Sequence, residues 1–299
     1  MGSFEGHIHP GLAFISIAIF WGSKYSYLHQ YREYGKGAKT SSNGRFIRFV
    51  KRVPWEAFIK IFYGLAAAFA EFLHPPVIYN LRMFKDGELQ NPNNWQHLTM
   101  YSFFAIAGLV DIISQKCLEK RAEKLERFFL ALAFCVEAHL LLNHRHGKGG
   151  FENTCHLMNI IATLGCVVAA TAEVWNPSEI LLPFLRVGFT MLQGTWLFNI
   201  AFLIYKPVSG EHWDADGSGG GVMFVTMLFC WHIFVDMVLV TINYCVVYAI
   251  FGRKWKRQCN IQKKNGEFID LSEKTNNEIG VHGESEEAKI PLFDEDDEF

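Results

Sequence analysis

Seven apolar stretches, each about long enough to cross a bilayer as a helix, leave this chain little room for a water-soluble fold. A hydrocarbon core of about 30 Å needs about 20 mostly apolar helical residues. Runs at approximately 8–28, 54–74, 95–116, 127–143, 155–175, 179–205 and 221–251 meet that length. The clearest contain GLAFISIAIFWG (first), NIIATLGCVVAATA (fifth) and VMFVTMLFCWHIFVDMVLVTINYCVVYAIF (last), whereas Glu56, Lys60 and Glu71 interrupt the second. Between the runs lie loop signals such as HPP at 74–76, HGKGG at 146–150 and GSGGG at 217–221. A soluble helical bundle alternates apolar and charged faces; these runs do not. The expected fold is all-α, a polytopic membrane protein built as a seven-transmembrane-helix bundle.

Charge divides the chain and gives it a direction. The net charge of −2 lacks the basic excess of a nucleic-acid binder, so no nucleic acid is expected as a partner. Residues 1–259 hold 24 Lys+Arg against 18 Asp+Glu, while residues 260–299 hold 4 against 12. With seven spans, the connectors on one side carry 19 Lys+Arg and those on the other carry 5. Positive residues collect on the cytosolic side, which predicts an exoplasmic or lumenal N-terminus and a cytosolic C-terminus. Two parts follow: a seven-helix transmembrane domain over 1–259 and a disordered acidic cytosolic tail over 260–299. The tail closes on IPLFDEDDEF, an apolar patch before five acids that suits a sorting or scaffold partner. No basic residue precedes the first run, so it is expected to stay as a span and not to be cleaved as a signal peptide. The seven cysteines fall mostly in spans or on the cytosolic side, as small core residues.

Ionisable side chains at membrane depth are costly and normally face the bundle interior, and here they sort into two layers. Toward the cytosolic side lie Glu56, Lys60, Asp111, Glu173 and Arg186, expected as structural ion pairs. Arg186 can pair with Asp111 or Glu173, and Glu56 with Lys60 one turn away. The exoplasmic half instead collects histidine: His7 and His9 open the first span, and Glu71 and His74 end the second. His97 opens the third, His139, His144 and His146 lie with Glu137 at the end of the fourth, and His156 opens the fifth. His232 and Asp236 share a face of the last. Glu137 and His144 are two turns apart on one stripe, about 160° around the wheel from His139. Glu137 lies deeper and needs an interior partner, so the Glu137/His144 stripe is the one expected inward.

Imidazole and carboxylate from several helices at one depth is what a zinc site needs; three such ligands plus water make a catalytic one. The expected metal set is His97, Glu137, His144, His156, His232 and Glu71, with Zn2+ as cofactor. His7, His146, Gln193, Asn199 and Asp236 line the surrounding pocket. A non-metal ligand, a proton-linked cavity and a hydrogen-bonded structural network remain alternatives. There is no H-E-x-x-H and no C-x-x-C pair. A rhodopsin-like receptor is disfavoured, because the third span ends in VDIISQKCLEKR and the last has Asn243-Tyr244 without the intervening proline. A transporter built from repeats is disfavoured too, since seven spans do not halve.

Several of these residues also carry a resemblance. The stretches GSFEGHIHPG at 2–11, NWQHLTMYSFF at 94–104, GLVD at 108–111, VEA at 136–138 and NHRHG at 143–147 resemble the transmembrane protein 45 family. LQGTW at 192–196, WD at 213–214, CWH at 230–232 and NY at 243–244 continue the match in order. The family-like polar positions are His7, Glu71, His97, Asp111, Glu137, Asn143, His144, His146, His156, Glu173, Gln193 and His232. His9, His74 and His139 fall outside those motifs. The resemblance implies a seven-span protein of Golgi, endosomal or plasma membranes and carries no settled activity.

The functional expectation is an integral membrane protein whose partners are the lipid bilayer and a small-molecule or lipid ligand in an exoplasmic His/Glu pocket. Zinc there could support hydrolysis of a lipid or amide-like substrate, with Glu71 or Glu137 as base. The alternative is a non-enzymatic trafficking or scaffold protein acting through its cytosolic tail.

Overall fold

The computed structural model describes residues 4–35, 53–72, 83–144, 149–207, 210 and 220–264. The chain divides into two compact units: Met1–Ser26 with Pro54–Val247, and Tyr27–Val53 with Tyr248–Phe299. Among the described residues, seven long helices account for nearly all regular structure. They are α1 (Phe4–Gln30), α2 (Trp55–Ala70), α3 (Pro92–Lys116), α4 (Glu123–Asn143), α5 (Gly150–Trp175), α6 (Leu181–Ile200) and α7 (Gly221–Val247). Each falls on one of the seven apolar runs. Short π-helical turns extend α1, α6 and α7, at Tyr31–Gly35, Ala201–Tyr205 and Tyr248–Gly252.

Four described helices are long and apolar enough to cross a membrane: α3, α5, α6 with its π turn, and the helix running from Gly221 to Lys264. The other three fall short for separate reasons. α2 has only 16 residues. α4 starts with Glu123, Lys124, Glu126 and Arg127, and α1 is diluted by His7, His9 and Pro10. The pattern of exposure is the reverse of a soluble protein. On α7, Met223, Trp231, Phe234, Met237 and Ile242 all point outward, while Asp236 is buried. Apolar surface outside and polar groups inside fit a chain solvated by lipid.

Within the first unit, neighbouring helices pack in sequence order: α2 on α3, α3 on α4, α4 on α5, α5 on α6, and α6 and α5 on α7. One core joins Trp21 of α1, Leu130 and Phe134 of α4, Cys166 of α5, and Val187 and Met191 of α6. A second joins Cys155, Trp196, Val225 and Phe229. The α2–α3 crossing depends on two glycines. A Cβ on Gly64 would come within 2.7 Å of the Tyr101 carbonyl oxygen, and one on Gly108 within 2.7 Å of the Ala57 carbonyl oxygen. Backbones that meet through small residues are the usual solution where no hydrophobic force separates helix from lipid.

The connectors obey local chemistry. Between α2 and α3 lies a hairpin, β1 (Phe84–Lys85) and β2 (Glu88–Leu89), turned by Asp86 and Gly87 with φ of 54° and 83°. Two positive φ values make this a type I′ turn, for which Asp-Gly is a favoured pair. Pro92 then occupies the first turn of α3, where its missing N–H costs nothing. Between α3 and α4, Arg121 grips Glu126 at 2.9 Å, and Ser114 Oγ accepts the Ala122 amide at 2.7 Å.

In the second unit the chain is helical through Lys264, past the expected start of the tail at 260. The rest of the tail, the basic loop over 36–52 and His146 lie outside the described residues.

Candidate functional site

The polar residues of the first unit separate into an ion-pair end, a middle column and a histidine end. At the ion-pair end, Lys60 of α2 reaches Asp111 of α3 at 2.6 Å and Glu56 at 3.2 Å. Lys24 of α1 closes on the other side of Glu56 at 2.6 Å. Separately, Arg186 of α6 pairs with Glu173 of α5 at 2.6 Å and 3.2 Å. Its guanidinium also lies over the Trp21 ring at 4.1 Å and donates to the Tyr25 hydroxyl at 2.8 Å. A flat, weakly hydrated cation suits such a stacked and forked position better than an ammonium. Arg186 therefore takes Glu173, and Asp111 takes Lys60.

The middle column follows one stripe of α6. Arg186, Thr190 and Gln193 are all buried and sit at successive helical turns. Gln193 donates to Glu137 Oε1 of α4 at 2.5 Å. Cys166 of α5 lies 3.5 Å from the Thr190 hydroxyl. Glu137 is inside and His139 is exposed, which is the face that the spacing along α4 selects.

The histidine end is built from helix ends, where side chains can reach past the last backbone turn. His7 comes from the start of α1, Glu71 from the residue after α2, and His97 from the second turn of α3. His144 stands at the C-terminal cap of α4, and His156 in the second turn of α5. The rings form a continuous row. Centroids of His97 and His144 are 5.0 Å apart, of His144 and His156 6.2 Å, and of His156 and His7 5.5 Å. The row continues to Tyr205 in the π turn after α6, 5.0 Å from His7.

Hydrogen bonding assigns the ring nitrogens. His97 Nδ1 lies 2.9 Å from Glu71 Oε1, and His156 Nδ1 2.8 Å from the Glu152 carbonyl oxygen. His144 Nδ1 lies 3.2 Å from Gln96 Oε1. A carboxylate and a backbone carbonyl oxygen only accept, so in His97 and His156 Nδ1 is the donor. In the neutral imidazole the lone pair then sits on Nε2. His156 Nε2 faces His7 Nε2 at 3.4 Å. Holding one ring nitrogen on an oxygen so that the other presents its lone pair is the usual outer-shell arrangement around a metal-binding histidine. As they stand, no three His, Cys, Asp or Glu side chains among the described residues close into a metal cage.

Thus the residues expected to share one site are only partly together. His97, His144, His156 and Glu71 meet, and His7, expected as a pocket residue, is at the centre of the row. Glu137 and Gln193 form their own pair in the column. His232 sits apart, 3.4 Å from the Thr195 hydroxyl, which donates at 2.8 Å to the buried Asp236. Asn199 is half-buried, and its Nδ2 has no hydrogen-bond partner among the described residues. Gln96, Glu152 and Tyr205 were not anticipated. A spacing signal existed for two of them, since Gln96 precedes His97 and Glu152 lies one turn before His156.

Comparison with known proteins agrees with the exposure pattern. Residues 123–245 match a family described as "Family of unknown function (DUF716)". The chain is 27% identical to transmembrane epididymal protein 1A of Mus musculus over 256 residues, covering 79% of this chain and 78% of that protein. It is 27% identical to transmembrane epididymal protein 1 of Rattus norvegicus over 249 residues, with the same shares. Against transmembrane epididymal protein 1 of Homo sapiens it is 32% identical over 145 residues, 48% of this chain and 53% of that protein. This chain is their homologue. With relatives named as transmembrane proteins and helices of spanning length, it is an integral membrane protein whose immediate partner is the lipid bilayer. The DUF716 match runs from α4 into α7, so it takes in Glu137, His144, His156 and the α6 stripe.

Proposed function

We propose that the chain is a seven-span protein of the transmembrane protein 45 type that binds a divalent metal, zinc, at its histidine end. The basic connectors support an exoplasmic or lumenal N-terminus, which puts the histidine end outside and the ion-pair end toward the cytosol. The observation that carries the metal reading is the continuous row of His97, His144, His156 and His7, brought together from four different helices. With His7 as a fourth ring, zinc would draw at least three imidazoles out of the row to the 2.0–2.1 Å that it requires. Glu71 stands behind His97 at 2.9 Å and fixes its ring. Glu137 is a full column away, held by Gln193, and His232 bonds Thr195; neither belongs to the coordinating set. For hydrolysis of a lipid or amide-like substrate an open coordination position and a base would be needed. The residue that lies nearest for that role, Glu71, is engaged with His97, so the reading stops at binding.

Elemental analysis of the purified full-length protein after exposure to zinc and removal of excess tests this. About one zinc per chain is expected, retained in His232→Ala and lost in His156→Ala and in His97→Ala. Equal zinc in wild type and His156→Ala would refute it. The competing reading is a non-enzymatic trafficking or scaffold protein of Golgi, endosomal or plasma membranes that acts through a partner of residues 260–299. Deleting that segment should redistribute a tagged protein among compartments.

A further inference from the structure

The second unit carries a basic groove that the zinc reading does not use. Its helical segment continues from the π turn at Tyr248–Gly252 to Lys264. Arg253, Lys256, Arg257, Asn260 and Lys264 follow at spacings of three, one, three and four residues, which places them along one helical stripe. With Tyr248 and Ile261 they line a shallow, open groove of about 370 Å3 along this one segment. The four cations are exposed, and none of them makes an ion pair within the described residues. Like charges three and four residues apart destabilise a helix, so the stripe stands against local propensity.

The opposite face of the same segment is anchored. Trp255 is buried, with its ring 5.1 Å from Tyr27, 5.6 Å from Tyr31 and 5.8 Å from Phe251. Gly252 is needed for this packing, since a Cβ there would press on the Tyr248 ring and lie 2.9 Å from Gln30 Oε1. Lys256 Nζ hangs 5.7 Å from the Tyr34 ring centre. A cluster of Tyr and Trp directly after an apolar span marks the level of lipid headgroups. The aromatic face thus holds the segment against Tyr27 and Tyr31, and a segment that follows an apolar span leaves its basic face free to meet headgroups.

We propose that this groove binds the phosphorylated headgroup of an anionic phospholipid, with Arg253 and Arg257 forking the phosphate oxygens and Lys256 and Lys264 neutralising the remainder. Arginine offers the planar pair of donors that phosphate accepts, and lysine a point charge. Each basic residue near an anionic leaflet adds to binding, and the attraction falls off within a Debye length. That the lipid belongs to the cytosolic leaflet rests on the orientation proposed above.

The test uses the full-length protein in detergent micelles, titrated with short-chain phosphatidylinositol bisphosphate, phosphatidylserine and phosphatidylcholine, and separately with inorganic phosphate. The bisphosphate lipid should bind best and phosphatidylcholine not measurably. Combined Arg253→Ala, Lys256→Ala, Arg257→Ala and Lys264→Ala should weaken the former at least about tenfold, with an unchanged melting temperature. The charge-keeping pair Arg253→Lys and Arg257→Lys should lose binding only in part, which a misfolded variant would not do. Unchanged affinity in the fourfold variant overturns the site, and so does inorganic phosphate binding as tightly as the lipid. Protease access to a C-terminal tag in sealed vesicles reads the orientation on its own. A protected tag would overturn the orientation while the micelle titration still decides the groove.

Discussion

The two ends of the first unit hold polar groups inside an apolar bundle by different means. At the ion-pair end the charges are permanent, and Lys24, Lys60 and Arg186 each meet a carboxylate at 2.6 Å. Such pairs return little net stability, but removing one partner strands the other. At the histidine end the rings touch in a row, with Glu71 set against His97 at 2.9 Å. An imidazole changes charge or takes a metal at modest cost. The first arrangement reads as cross-linking of α1, α2, α3, α5 and α6; the second joins the ends of α1, α3, α4 and α5.

That contrast can be broken most directly by Lys60→Met. It strips Asp111 of its buried cation, leaves Glu56 with Lys24 alone, and should cost about 3–5 kcal/mol, seen as a collapse of the melting temperature in detergent. Adding Asp111→Leu should restore part of the loss. A wild-type melt for Lys60→Met alone would mean that the ion-pair end is not structural. At the other end, His156→Ala should melt normally without metal yet lose the zinc-induced shift. That shift is about 2.7 kcal/mol when free zinc is a hundredfold above the dissociation constant.

Gly64 lies on α2 between Lys60 and Glu71, so it couples the two ends. Gly64→Val drives a side chain into the Tyr101 carbonyl and should cost about 1–3 kcal/mol. Loss of both stability and zinc in this variant would tie the ends to one helix crossing; loss of stability alone would separate them. The smallest effect belongs to His232→Gln, within about 0.5 kcal/mol and with zinc retained. A large effect there would return His232 to the coordinating set.

Much of the architecture was readable from the sequence, because helix length and apolar content are local properties. The seven runs coincide with seven helices among the described residues. Partnership was less readable. Periodicity tells which face of α4 carries Glu137, but not which depth of α6 stands opposite. Gln193 therefore won that carboxylate, though both residues had been noted. Asp111 and Glu173 were equal choices for Arg186 until the Trp21 ring fixed where the guanidinium lies. His7 was underrated because the start of α1 is far from the other histidines in sequence, and helix ends meet through tertiary packing alone. The Asp86-Gly87 hairpin had an obvious turn signal, but strands of two residues leave no alternation to detect.

α2 adds a consequence of another kind. Its 16 residues extend about 24 Å, several ångströms less than the hydrocarbon thickness of an average bilayer. On the seven-span reading, lipid beside α2 must compress to meet it, at a cost of fractions of a kcal/mol per ångström. The same helix carries Phe58, Phe62, Leu65 and Phe69 outward, so the dimple has an apolar wall. Elastic strain of this sort is relieved wherever the membrane is already thin. On the same seven-span reading, a short, aromatic-faced α2 would give the chain a mechanical bias among membranes, independent of any tail partner.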